Sequence, residues 1–494
     1  MSSSGVELAR GALAGTRSWL VGGSVRDRLL GRETADLDLV VEGDSARAAR
    51  AIAAAAGRAA CFALSEEFGS WRVVARGGAW QMDVEPLRGD AIEQDLALRD
   101  FTLNAIAEPL AGGAPIDPLG GIADARARRL RMAAPSAFAD DPLRVLRLVR
   151  LTLELDLRPE PRTLAQAAAQ AHALPAVSGE RIFMELRRIV AARRARAGLE
   201  LLDSLGATAA VLPELHALRG VQQSRFHHLD VYGHTLEVLE RAVQMSAPAE
   251  APPPADPSGA GVPERSGRTE PAGDAELERF LAPRRAGVAA LLDEPLADGL
   301  SRGEALRWGA LLHDVAKPQT RSVRPADGRV TFLGHDVQGA QLARAMLARL
   351  RVSERLRAHV SALVRHHLRA GFLVHEPQPL ARRTVFAYLG ATEPVAADVT
   401  LLSVADRLAT RGARAEQAVG AHLSVAAGLL QDALEWRAQG PPRPLLRGEE
   451  LMSELALEPG PRLGELLAEL AAARYAGEIA TRAQALAHAR ALLA

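Results

Sequence analysis

The 494-residue chain has a single cysteine, Cys61, so no disulfide forms within it, and its usage fits a reducing compartment. It has a single lysine, Lys317; every other cation among its 60 Lys and Arg is an arginine, the side chain suited to forked recognition of phosphate and carboxylate. Aromatic residues make up only 4% of it. Its 60 acidic groups cancel its 60 basic ones, so net charge selects no class of partner. No apolar run approaches the roughly 20 residues of a membrane helix, and the N-terminus lacks a signal-peptide core. The chain therefore reads as cytoplasmic, with no membrane partner. What it has in quantity is alanine and leucine, which favour helices. Its length allows roughly two to four domains.

One short segment carries the most chemistry: Leu20-Val-Gly22-Gly23-Ser-Val-Arg26, followed by Asp36-Leu-Asp38-Leu-Val-Val. Residues i and i+2 of a strand share a face, so Asp36 and Asp38 present two carboxylates together. Such a pair is a hard oxygen site for Mg²⁺. Gly22 and Gly23 allow close approach of backbone to a ligand, and the helix they open offers free N–H groups to phosphate. Arg26 adds a charged donor. A phosphate cradle beside paired carboxylates implies phosphoryl or nucleotidyl transfer.

Strands are expected at Trp19–Val21, Leu37–Val41, Trp71–Ala75 and Trp80–Val84, and a helix at Ala46–Ala56. From about residue 137 the pattern becomes helical, with apolar faces at Leu143–Leu151 and at Ile182, Leu186, Ile189 and Val190. Residues 246–275 are rich in Pro, Ala, Gly and Ser and are expected to form an unstructured insertion.

These features resemble the bacterial tRNA nucleotidyltransferases (CCA-adding enzymes) and poly(A) polymerases over residues 18–200. Leu98-Arg99-Asp100-Phe-Thr-Leu-Asn104 is similar to the family's Arg-Asp-Phe-Thr-x-Asn block, which implies that Arg99 and Asp100 select the ribose and that Asn104 belongs to the nucleotide site. Asp117-Pro-Leu-Gly-Gly121 with Asp124 resembles the hinge between head and neck. Asp140-Asp141-Pro-Leu-Arg144-Val-Leu-Arg147 resembles the Glu-Asp-x-x-Arg block, which implies base reading by Asp141 and Arg144. On a helix those two share a face, and Arg147 and Arg150 continue it toward a triphosphate. Cytosine and adenine both present an amine beside a ring nitrogen, so CTP and ATP are the expected nucleotides. Ser178-Gly-Glu-Arg181 resembles the last block and reads as structural. Three departures bear on function. Leu98 stands where the family usually has a first Arg, Asp140 stands where it usually has Glu, and the stretch from Asp83 to Arg99 is brief, where many relatives carry a loop that helps the switch from adding C to adding A. Asp83 is the candidate third carboxylate.

A second resemblance lies downstream. Leu311-Leu-His313-Asp314 at the end of an apolar segment is similar to the HD phosphohydrolases. That implies a metal held by His234, His313, Asp314 and Asp406, with His335-Asp336 and His366-His367 at the middle positions. Neutral imidazoles and carboxylates suit Mg²⁺ or a divalent transition metal, which lowers the pKa of bound water.

The expected architecture is α+β. A mixed-sheet nucleotidyltransferase head (1–135) precedes a helical neck (136–220), an HD domain (221–439) and a helical tail (440–494). The expected function is template-independent addition of C, A or both to the 3′ end of tRNA, with Mg²⁺ in a two-metal mechanism and release of pyrophosphate. The alternatives are a poly(A) polymerase, which shares the head motifs, and an HD phosphohydrolase whose head only senses nucleotide.

Overall fold

A computed structural model describes residues 2–224, 227–246, 272–411 and 415–493. These residues divide into two compact units: Met1–Ile189 with Glu200–Val211, and Val190–Leu199 with the residues from Leu212 onward. The expected head lies in the first unit and the described HD and tail segments in the second, while the expected neck is divided, its residues 190–199 and 212–220 belonging to the second. The stretch 246–275 needs correction at its ends. Ser246 closes the helix Val231–Ser246, and Ala272 opens the helix Ala272–Leu281. Residues 247–271 lie outside the described residues.

The first unit contains a six-stranded mixed sheet in the order β3-β4-β5-β2-β1-β6. Its strands are β1 (Ser18–Val21), β2 (Asp36–Val41), β3 (Ala60–Ser65), β4 (Ser70–Val74), β5 (Gln81–Pro86) and β6 (Ala107–Pro109). Only β2 and β5 run parallel, placing Asp38 opposite Asp83; the other neighbours are antiparallel. Alternation sorts the side chains onto two faces. Leu37, Leu39 and Val41 pack with Ala49 and Ile52 of the helix Ser45–Ala55. Val21 and Val40 pack on the other face with Ile92, Leu96, Ala105 and Ala107. The carboxylates of β2 lie on this second face.

Two clamps fix the segment after the sheet. Asp117 accepts hydrogen bonds from the N–H groups of Gly121 (2.6 Å) and Ile122 (2.9 Å), starting the helix Gly121–Arg126. Asp124, fully buried, accepts from Thr102 Oγ1 (2.7 Å), Arg129 (2.6 Å) and Arg131 (2.9 Å). The two glycines of the expected hinge segment have separate local causes. Gly120 takes a left-handed φ of 75°, while a Cβ on Gly121 would stand 2.1 Å from the carbonyl oxygen of Thr102.

The neck helix Arg144–Leu155 is tied back to the same region. Arg147 contacts Asp100 Oδ2 at 2.7 Å, and Asp100 Oδ1 accepts from Asn104 (2.8 Å) and the Phe101 N–H (2.8 Å). Burial alone would raise the Asp100 carboxyl; Arg147 and Asn104 outweigh it and hold the group at about 2.

Two outcomes follow. Gly121→Ala forces a methyl against a backbone carbonyl that cannot swing away, so thermal unfolding should show a loss of about 2–3 kcal/mol. Asp100 has a folded pKa below its unfolded value of roughly 3.9, so the unfolded state binds more protons between the two. Its contribution is complete above about pH 4 and disappears as pH falls through about 2. The stability gap between wild type and Asp100→Asn, measured by denaturant titration, should narrow over that window; a gap independent of pH would refute the pairing.

Candidate active site and metal centre

Gly22 and Gly23 open the helix Gly22–Leu29 directly after β1, and their lack of side chains has a local cause. Gly22 has φ +66°, and a Cβ there would lie 3.0 Å from both Asp38 Oδ2 and Arg99 Nη1. The Gly23 N–H donates to Asp38 Oδ2 at 3.0 Å. Burial pushes the Asp38 carboxyl above its ordinary range; Arg99 opposes this, while Asp83 and Glu85 add to it. A buried carboxyl beside other carboxylates is a place where a divalent cation fits. Asp36, one pleat away on the same face, is exposed. Asp83 is held by a two-pronged contact from Arg72, both bonds 2.7 Å.

The remaining head residues fall into an ion pair and a bonded chain. Arg99 reaches Asp95 (3.1 Å), and Arg26 bonds Asn104 (2.9 Å) and Asp27 (2.8 Å). Asn104 passes the connection to Asp100, and Asp100 to Arg147. The structure thus gathers Gly22, Gly23, Arg26, Asp36, Asp38, Asp83, Arg99, Asp100, Asn104 and Arg147 around one end of the sheet. Glu85 joins them: it sits one pleat beyond Asp83, opposite Val40, and its charge is felt at Asp38. Its alternation with Asp83 was a signal available in the sequence.

Two expectations change. Asp141 is not on the helix: its backbone is extended (φ −147°, ψ 101°), Pro142 follows, and the helix begins at Arg144. Asp141 instead receives the Leu143 N–H (3.1 Å) and Arg181 (2.8 Å). Arg144 donates to the carbonyls of Leu98 (2.8 Å), Arg99 (3.3 Å) and Ala137 (3.1 Å), which fixes its guanidinium beside the Arg99-Asp100 block. Arg150 is buried and bonded to Glu185 and Glu154, so it serves the neck's interior and has no fork to offer a triphosphate.

In the second unit, a capping box between Ser301 and Glu304 starts the helix Arg302–Leu312, whose buried length delivers His313 and Asp314 to the interior. Asp230 caps Gly233 (2.8 Å) at the head of the helix carrying His234, and Asp406 comes from the helix Ala396–Ala409. His234 Nε2 lies 3.0 Å from Asp406 and 3.8 Å from Asp314; His313 Nε2 lies 3.1 Å from Asp314. His335 and His367 approach Asp314 Oδ1 at 3.4 and 3.9 Å. The Nδ1 atoms of His313, His335 and His367 each face a backbone carbonyl three residues earlier, at 2.8, 2.6 and 2.7 Å. That contact fixes the Nδ1–H tautomer and leaves Nε2 as a lone pair aimed inward. The Nε2 atoms of His234 and His313 are buried without a hydrogen-bond partner, as metal ligands would be before loading. The donor set fits a divalent metal. His367, not His366, enters the cluster: His366 instead accepts from Arg369 (2.9 Å), and Asp336 pairs with Arg365. His227, assigned no role from the sequence, stacks edge-on against His234 at 5.1 Å between ring centres. Lys317 contacts Asp314 and Gln223, both at 2.6 Å.

Residues 18–131 match the poly A polymerase head domain, 156–219 the probable RNA- and SrmB-binding site of polymerase A, and 286–411 the HD domain. The chain is 37% identical over 471 residues to an A-adding tRNA nucleotidyltransferase of Deinococcus radiodurans, covering 94% of this chain and 93% of that one. It is 33% identical over 476 residues to a CC-adding tRNA nucleotidyltransferase of Thermus thermophilus, covering 94% and 91%. Among solved structures, the Thermotoga maritima CCA-adding enzyme complexed with tRNA shares the fold at a TM-score of 0.58 and 17% identity, over 100% of this chain and 95% of that one. Among the described residues no single helix is long and apolar enough to cross a membrane. With two relatives above 30% identity matched over more than nine-tenths of each chain, this protein belongs to the CCA-adding tRNA nucleotidyltransferase family, in the form that joins a polymerase head, an RNA-binding segment and an HD domain.

Proposed function

We propose that this enzyme extends the 3′ end of tRNA with C residues and stops before the terminal A. The carrying observation is the short connection at residues 87–91 between β5 and the helix Ile92–Ala97, in place of a loop able to re-form the base site between additions. The CC-adding Thermus relative supports this reading. A second reading, addition of A alone, is favoured by the Deinococcus relative.

In the proposed site, Gly22 and Gly23 let the triphosphate approach the backbone, and the N-terminal turn of their helix with Arg26 receives its charge. Arg99 stands over Gly22 beside the reacting end, and Asp100 orients the ribose. Asp141 accepts from the exocyclic amine of the base while Arg144 donates to the ring nitrogen. Asp36, Asp38 and Asp83 would hold Mg²⁺, which when bound stabilises triphosphate charge and favours a deprotonated 3′-hydroxyl. The residues themselves contribute positioning, and the parallel register keeps Asp38 and Asp83 side by side. For the second unit, the convergence of His234, His313, Asp314, His335, His367 and Asp406 supports a metal-dependent phosphohydrolase.

The first test offers tRNA lacking CCA with CTP and ATP, singly and together, and sequences the ends. CC ends in every mixture containing CTP are expected. Full CCA would overturn the specialist reading, incorporation of A only on a CC-ended tRNA would establish the second one, and a long A tail would indicate a poly(A) polymerase. Asp38→Ala should lower incorporation at least about a thousandfold, since several kcal/mol of charge stabilisation go with it. His313→Ala should lose the divalent metal detected by elemental analysis, and any hydrolysis of phosphoesters, with nucleotide incorporation unchanged. Retention of metal by that variant would remove the HD assignment.

A further inference from the structure

Base reading in the proposed site rests on Asp141, and Asp141 does not stand alone. Its Oδ2 lies 2.8 Å from Nη2 of Arg181, and its Oδ1 accepts the Leu143 N–H at 3.1 Å. Arg181 comes from another element, the first turn of the helix Gly179–Ala191. The Arg181 side chain is 54% exposed and that of Asp141 28%, so the pair contributes little to stability. Stability therefore gives no sufficient reason for this arginine to reach from one helix onto the carboxylate that precedes another.

Specificity does. An ionised carboxylate has about four lone-pair directions and turns freely about its side-chain bonds. Two contacts at opposite oxygens, one from the local backbone and one from Arg181, remove that freedom and leave the remaining lone pairs in a defined orientation. Discrimination needs this. A fixed acceptor bonds the exocyclic amine of cytosine or adenine and opposes the carbonyl oxygen that uracil and guanine present at the same place. A carboxylate free to rotate loses part of that opposition.

We propose that Arg181 is a specificity-determining residue of the nucleotidyl-transfer site, acting through Asp141 as a positioning residue rather than by touching the base. The proposal rests on the reading of Asp141 as the base-reading carboxylate, and the experiment separates the two. Single-turnover incorporation of CTP and of UTP onto tRNA lacking CCA is measured for wild type, Arg181→Ala, Arg181→Lys and Asp141→Ala, with melting temperatures for all four. In Arg181→Ala the ratio of CTP to UTP efficiency should fall about tenfold with the melting temperature nearly unchanged. Arg181→Lys should recover part of the ratio, because it keeps a charged donor without the planar fork. Asp141→Ala should lower the ratio at least as far. If Arg181→Ala slows both nucleotides equally, or leaves both unchanged, while Asp141→Ala lowers the ratio, Arg181 has no part in specificity and the base-reading assignment stands. If Asp141→Ala itself leaves the ratio unchanged, the base-reading assignment fails and the proposal with it.

Discussion

The parallel pairing of β2 with β5 is the constraint on which the head depends. It sets Asp38 beside Asp83 in neighbouring strands, with Asp36 and Glu85 one pleat away in opposite directions. Neighbouring strands are roughly 4.8 Å apart, and two like charges at that spacing repel by on the order of 3–4 kcal/mol at an effective dielectric of 20. The fold accepts this cost and surrounds it with countercharge. Arg72 grips Asp83 from β4, and Arg99 stands by Asp38 across Gly22. The Asp38 carboxyl is nonetheless raised, chiefly by burial, with Asp83 and Glu85 adding to it against Arg99. A divalent cation supplies the positive charge that favours the ionised form of such a group.

Around this centre, position is transmitted by arginine forks. Arg26, Asn104, Asp100 and Arg147 form an unbroken chain from the glycine turn to the neck helix, and Arg144 anchors the same helix to the carbonyls of residues 98 and 99. A planar guanidinium can hold two or three acceptors in a fixed geometry, which a lysine cannot. The single lysine of the chain is used where the opposite property is needed. Lys317 places a compact charge against Asp314, at Gln223 and over the ring of Phe332, beside the histidine cluster.

What the sequence makes legible follows the range of the interaction. Asp36 and Asp38 can be paired from spacing alone because strand periodicity is local. The pairing of Asp38 with Asp83 requires knowing which strands are neighbours, and nothing in the spacing of the two segments reveals that. The strand Ala60–Ser65 was not anticipated because Phe62 and Leu64 face outward, so its alternation does not mark a buried face. Asp141 was expected on a helix; Pro142 delays the helix start, and the aspartate becomes a pre-helical acceptor. Arg150 and Arg147 look alike by spacing, yet Glu185, far along the chain, takes one of them into the interior. The His-Asp pair was legible from its apolar approach, but the choice of His367 over His366 depends on which imidazole faces inward at the end of the helix Glu354–His366.

The two centres solve the problem of holding metal ligands in opposite ways, and the difference bears on how each is used. In the second unit three imidazoles are locked by backbone carbonyls three residues earlier, and the carboxylate they surround is buried. That geometry is set before any substrate arrives, so little ordering cost remains for metal binding. In the head, Asp36 is exposed and Asp83 is already engaged by Arg72, leaving the half-buried Asp38, which accepts from the Gly23 N–H, as the carboxyl with acceptor capacity to spare. Such a set binds a lone cation weakly and gains most when a nucleotide supplies further oxygen ligands, because Mg²⁺ retains water readily and is usually held by one or two carboxylates together with substrate phosphates.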